Sequence, residues 1–182
     1  MKQLFLLIVS TTFLSAALFA QQKKHFKCSA GPEIGYTANG NIILWGTGIG
    51  GSVQAEYFFS EKISATLLAG YTSYLGVSIY GGYKPPALNA VPIRLGGRYY
   101  FTDRLYLAAQ AGVGLLSGGS YLLKAKPTSF SYSPQAGYLF KINKINRIDL
   151  AIKYENFYYG TKDGNPSSDN FNSIGVRLAY IF

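Results

Sequence analysis

Taken two residues at a time, the chain separates into an apolar and a polar series. In the last nine residues one series is Ile174, Val176, Leu178, Tyr180 and Phe182, and the other is Gly175, Arg177, Ala179 and Ile181. A period of two places successive side chains on opposite faces of a β-strand. The same alternation marks a second strand ending at Phe59, a third from Ile63, a fourth from Val91 to Phe101 and a fifth from Leu105 to Leu115. A sixth runs from Phe130 to Phe140 and a seventh from Ile148 through Tyr154. The first, about Phe26 to Tyr36, is weakest, because Pro32 offers no ladder donor. Four stretches close on Tyr-x-Phe: Tyr57 and Phe59, Tyr99 and Phe101, Tyr138 and Phe140, Tyr180 and Phe182. Their phenylalanines recur at intervals of 42, 39 and 42 residues. Four such endings predict four up-and-down hairpins and eight strands.

The connections alternate in length. Ser60–Lys62, Thr102–Arg104 and Asn143–Asn146 are tight turns after a Tyr-x-Phe ending, whereas the other connections are long. All short turns then fall at one end of the strands, the asymmetry of outer-membrane barrels. Polarity decides between a soluble and a membrane barrel. One face holds Ile, Val, Leu and Ala without a charge from Ile63 to Tyr71, Val91 to Phe101 and Leu105 to Leu115. The opposite face carries Glu56, Arg94, Arg98, Asp149, Lys153, Glu155 and Arg177. Such charges make a costly dry core for a soluble barrel, but they can pair across a polar lumen. The pattern therefore predicts an all-β, eight-stranded antiparallel up-and-down transmembrane β-barrel with short periplasmic turns and long extracellular loops. The Tyr-x-Phe endings become a periplasmic aromatic girdle. Tyr36, Tyr71, Phe130, Tyr132, Tyr154 and Phe157 are candidates for the opposite one. An eight-stranded interior barely holds its own side chains, so the seven charges are expected to form a paired network that plugs it. Glu56 and Arg98 each stand three residues before a girdle phenylalanine and should meet at one depth.

Composition sharpens the address. Lys2, the apolar stretch Leu4–Val9, Phe13-Leu14 and Ala16–Ala20 read as a secretory signal peptide over residues 1–20, leaving 21–182 as the barrel domain. The net charge of +9 suits anionic lipid and lipopolysaccharide; with an export signal, nucleic acid is not an expected partner. Cys28 is the single cysteine, so no internal disulfide forms.

The signal peptide, hairpins such as Gly97-Arg-Tyr-Tyr-Phe-Thr-Asp-Arg-Leu-Tyr-Leu107 and the terminal Tyr180-Ile-Phe182 resemble the small outer-membrane β-barrel domain family, the OmpA/OmpX-like, porin-family barrels of Gram-negative envelopes. The resemblance implies that Phe182 belongs to the signal read by the barrel assembly machinery. With the sequence stopping at Phe182, no peptidoglycan-binding domain is expected to follow, unlike in longer members.

Catalytic chemistry finds little purchase. The only histidine, His25, precedes the barrel, away from any serine it would activate. Asp149 and Glu155 share a face, but six residues of strand separate them by about 20 Å, too far for glycosidase work. No His/Cys spacing suits a metal, and neither a cofactor nor a catalytic residue is expected. A structural or surface-interaction role fits best, with Trp45, Tyr80, Tyr83, Lys84, Tyr121, Lys124, Lys126, Tyr159 and Lys162 as an aromatic and basic loop rim. The external partner is unknown. The alternatives are a narrow pore or carrier for a small polar solute and, third, a lipid A-modifying enzyme.

Overall fold

The computed structural model describes residues 25–38, 44–78, 82, 84–118, 128–143, 146–158 and 170–182. Eight strands, β1 (Phe26–Thr37), β2 (Trp45–Phe58), β3 (Ile63–Gly76), β4 (Leu88–Tyr100), β5 (Leu105–Gly118), β6 (Thr128–Lys141), β7 (Arg147–Tyr158) and β8 (Asn170–Ile181), follow one another in space. Each pairs antiparallel with its neighbours, and β1 closes on β8. Closure leaves no free sheet edge, which hydrocarbon would penalise heavily. The expected residues 1–20 lie outside the described part of the chain.

The three tight turns share one chemistry. Ser60 Oγ accepts from the amides of Lys62 and Ile63 at 3.3 and 3.1 Å. Thr102 Oγ1 does the same for Arg104 and Leu105 at 3.2 and 3.0 Å. Asn143 Oδ1 accepts from the Asn146 amide at 2.7 Å. A short polar side chain at the head of each turn thus captures backbone donors that the strands leave over. Such compact turns hold the register that keeps apolar side chains outside.

Prolines are placed where the ladders tolerate them. Pro32 faces outward opposite Gly51 on β2, and the β1–β8 pairing passes over it, from Ala30 with Tyr180 to Glu33 with Arg177. Pro92 and Pro134 fall in matching gaps of the β3–β4 and β6–β7 ladders. Each proline therefore withholds one bond without shifting register, and β1 spans Phe26–Thr37, intact across Pro32. The strands β3 and β4 also extend beyond the alternation read from sequence, to Gly76 and from Leu88, shortening the connection between them.

Outward positions are exposed and apolar: Ile93, Leu95, Leu107, Ile152, Ile174 and Leu178 among them. Arg94, Arg98, Asp149, Lys153 and Arg177 are buried inside. Two residues reverse their expected placement. Trp45, expected on the loop rim, is buried in the lumen, its indole N–H donating to the Pro86 carbonyl at 2.9 Å. The register shift between Trp45 and Gly48 inverts its face. Phe157, a candidate for the second girdle, is also buried inside; it shares strand parity with Asp149, Lys153 and Glu155.

Candidate functional site

The lumen is the candidate site, and it is layered. At its centre, ion pairs link eight charged side chains into one series of alternating sign. Glu56 meets Arg98 at 3.3 Å and Arg98 meets Asp149 at 2.9 Å. Asp149 meets Arg177 at 3.3 Å and Arg177 meets Glu33 at 3.5 Å. Glu33 pairs with Lys153, Lys153 reaches Glu155 at 3.1 Å, and Glu155 ends on Arg94 at 2.6 Å. Four cations face four anions. The seven residues named from sequence are all in this series, including the Glu56–Arg98 contact expected from their matched depth.

Glu33 is the member that sequence reasoning passed over. Its carboxylate accepts from Ser52 Oγ at 2.5 Å and from Lys153. The signal was present in the alternation of Ser29, Gly31, Glu33, Gly35 and Thr37, yet Pro32 had made this strand look broken. Without Glu33 the lumen would hold a surplus cation, a costly arrangement among buried side chains. Hydroxyl groups take up further lone pairs and protons. Arg177 Nε donates to Ser52 Oγ at 2.8 Å and Nη2 to Ser29 Oγ at 3.0 Å. Arg94 donates twice to Ser131 Oγ, at 2.8 and 2.6 Å. Beside the charges runs a neutral amide layer, in which Gln110 Nε2 donates to Gln54 Oε1 at 3.1 Å and Gln135 Nε2 to Gln110 Oε1 at 2.8 Å.

An apolar cluster stands at each end. Toward the long loops, Trp45, Tyr74, Leu88, Ala90, Leu116, Phe157 and Phe171 pack together, with Tyr74 edge-on to Phe171 at 4.7 Å between centroids. Toward the short turns, Tyr100, Tyr106, Ala108, Leu139, Ala151 and Ile181 pack with Phe58. Both clusters are bound to the charges. The Arg94 guanidinium lies 5.2 Å over the Phe157 ring and that of Arg98 4.0 Å over Tyr106. Tyr106 donates to Asp149 at 2.7 Å, and Tyr100 to Glu56 at 2.7 Å. Glycine permits the close approach: a Cβ on Gly137 would stand 2.3 Å from the Tyr106 ring, and one on Gly114 2.4 Å from Phe157. These end clusters were not anticipated, because an aromatic near a strand end reads equally well as girdle.

The Tyr-x-Phe pairs lie on the outer wall at the short-turn end, and the two rings of each pair touch: edge-on for Tyr57 with Phe59 and Tyr99 with Phe101, tilted for Tyr138 with Phe140, and stacked only for Tyr180 with Phe182. Ring centroids are 5.3 Å apart for Tyr57 and Phe59, 5.1 Å for Tyr99 and Phe101, 4.8 Å for Tyr138 and Phe140, and 6.4 Å for Tyr180 and Phe182. Phe182 is held at the seam, its amide donating to the Cys28 carbonyl at 3.0 Å. Of the loop-rim residues, Lys84 is exposed; Tyr80, Tyr83, Tyr121, Lys124, Lys126, Tyr159 and Lys162 lie outside the described residues. Among the described residues no group of three or more His, Cys, Asp or Glu is placed to hold a metal ion.

Residues 5–182 match the family described as "Outer membrane protein beta-barrel domain". Among solved structures, Neisserial surface protein A is similar with a TM-score of 0.57 at 16% identity, over 86% of this chain and 95% of its own. Ail, the attachment invasion locus protein of Yersinia pestis, gives 0.54 at 14% identity, over 88% of this chain and 100% of its own. The same protein in complex with the heparin analogue sucrose octasulfate gives 0.55 at 14% identity, over 87% and 98%. At these identities the likeness is one of fold. No curated protein matches the sequence.

Proposed function

Since the chain belongs to the outer membrane protein β-barrel domain family, we propose that it is an integral outer-membrane barrel with a structural or surface-interaction role, closed to solutes and without catalytic duty. The observation that carries this reading is the lumen: an eight-membered chain of buried ion pairs capped at both ends by apolar clusters. Moving an ion through it would require breaking buried charge pairs and prising apart two aromatic packings.

On this reading residues 1–20 export the chain, and Phe182 takes part in recognition by the barrel assembly machinery. The girdles seat the wall among outer-membrane lipid and lipopolysaccharide. The long loops make the external contact, their lysines suiting an anionic surface. Ail in complex with a polysulfated sugar offers a precedent for anion contact on a similar fold. A narrow polar passage is the second reading. It is favoured by Gln54 Nε2, Arg98 Nε and Gln135 Oε1, buried polar atoms without a hydrogen-bond partner among the described residues.

Single-channel recording in planar bilayers separates the two. The sealed barrel predicts no stable conductance steps at moderate voltage; large, long-lived open steps would refute it.

A further inference from the structure

At the short-turn end the lumen does not stop flush with the lower apolar cluster. It widens into a vestibule of about 520 Å³, lined by His25, Lys27, Phe58, Ser60, Glu61, Tyr100, Asp103, Leu139 and Arg147. The size falls within the range of small-ligand sites. The lining residues come from the tight turns, from the strand ends beside them and from the start of β1, so the vestibule opens on the side where β1 starts and β8 ends.

Its chemistry is specific. The floor is apolar and aromatic, with the Phe58 and Tyr100 rings stacked at 5.7 Å and 26° and Leu139 beside them. Lys27 holds its ammonium 4.4 Å over the Phe58 ring. Arg147 gives Nη1 to the Asp103 backbone carbonyl at 3.3 Å, leaving its charge without a carboxylate. Among the described residues neither Lys27 nor Arg147 has an acidic partner within 4.0 Å, whereas all four lumen cations do. Acids occupy the turns instead: Glu61 is exposed, and Asp103 is engaged with Lys141 at 3.5 Å.

We propose that this vestibule binds a peptide segment bearing a carboxylate next to an apolar side chain. The carboxylate sits between Lys27 and Arg147, in charge-assisted hydrogen bonds. The apolar side chain covers Phe58, Tyr100 and Leu139. Glu61 accepts from the peptide's own N–H groups. A phosphomonoester is the poorer match, because its larger negative charge meets Glu61 and Asp103 at the entrance. The site stands on the geometry of the mouth; that its peptide is a periplasmic one rests on the outer-membrane reading above.

The test uses the mature protein folded in micelles, followed by backbone amide NMR. The probes are acetyl-Ala-Phe with a free carboxylate, the same dipeptide as its C-terminal amide, and phenyl phosphate. The proposal expects saturable shifts at His25, Lys27, Phe58 and Arg147 with the free acid, and loss of the response with the amide. The Lys27→Gln/Arg147→Gln double variant, checked for folding by heat-modifiable migration, should bind about tenfold more weakly or worse. No shifts at the vestibule, an equal response to the amide, or tighter binding of phenyl phosphate would each overturn it. The comparison of acid with amide needs no variant, so a misfolded variant leaves the test standing. Compartment is read separately. Ser60→Cys in a Cys28→Ser background should react with an impermeant maleimide only after the outer membrane is opened. Labelling on intact cells would overturn the periplasmic placement while leaving a vestibule that binds the free acid in place.

Discussion

The middle of the lumen and its two ends solve the same packing problem by opposite means. In the middle, eight ionised side chains fill the bore by pairing; at the ends, aromatic and aliphatic groups fill it by contact. The difference follows from position. An end cluster borders water and gains by hiding apolar surface from it, while also keeping water off the charges behind. The central layer is ringed by a wall whose outside is hydrocarbon, so each charge there depends on its neighbours. Apolar packing tolerates substitutions that conserve volume, whereas a chain of alternating charges does not tolerate an odd number.

The largest expected effect comes from breaking the chain at its most connected link. Asp149 serves Arg98, Arg177 and Tyr106, and Asp149→Ala leaves two buried guanidiniums short of an anion. The expected cost is about 3–5 kcal/mol, measured by urea unfolding in lipid vesicles. A loss below about 1 kcal/mol would mean that water already reaches the layer. Next comes the outer wall: Ile152 is 61% exposed, and Ile152→Arg should cost about 2–4 kcal/mol near mid-membrane, although Lys153 beside it is accommodated inside.

The third perturbation shortens the chain without unbalancing it. Arg94 and Glu155 form the terminal pair, and removing both leaves Lys153 joined to Glu33. The double variant Arg94→Met/Glu155→Met should therefore be more stable than Glu155→Met alone, by about 1–2 kcal/mol in a double-mutant cycle. Additivity of the two single losses would contradict the alternating series. The smallest effect belongs to Lys141→Ala. Its pair with Asp103 spans 3.5 Å with side chains 40% and 83% exposed, so its loss should change stability by less than about 1 kcal/mol.

What the alternation of residues reveals is what depends on parity alone. It places Arg94, Arg98 and Arg177 inside, Ile174, Val176, Leu178 and Tyr180 outside, and Glu56 level with Arg98. It fails where a local device overrides parity or obscures it. Trp45 is turned inward by a register shift that leaves no mark in composition. Glu33 was overlooked because a proline beside it suggests a broken ladder, although only one bond is withheld. Phe157 was within reach, since its parity matches Glu155, but aromatic character at a strand end suggested the girdle. The order of the eight-link chain depends on which side chains reach across the bore, a long-range consequence of barrel closure that no short stretch encodes.

All of this presupposes that polarity is inverted, with apolar residues toward lipid and charges within. Spin labels placed singly from Ile174 to Ile181, in a Cys28→Ser background and in lipid bilayers, test that claim most directly through collision with dissolved oxygen. Inverted polarity gives high oxygen accessibility at Ile174, Val176, Leu178 and Tyr180 and low accessibility at Gly175, Ala179 and Ile181. The opposite phase, or no alternation along the strand, would contradict it.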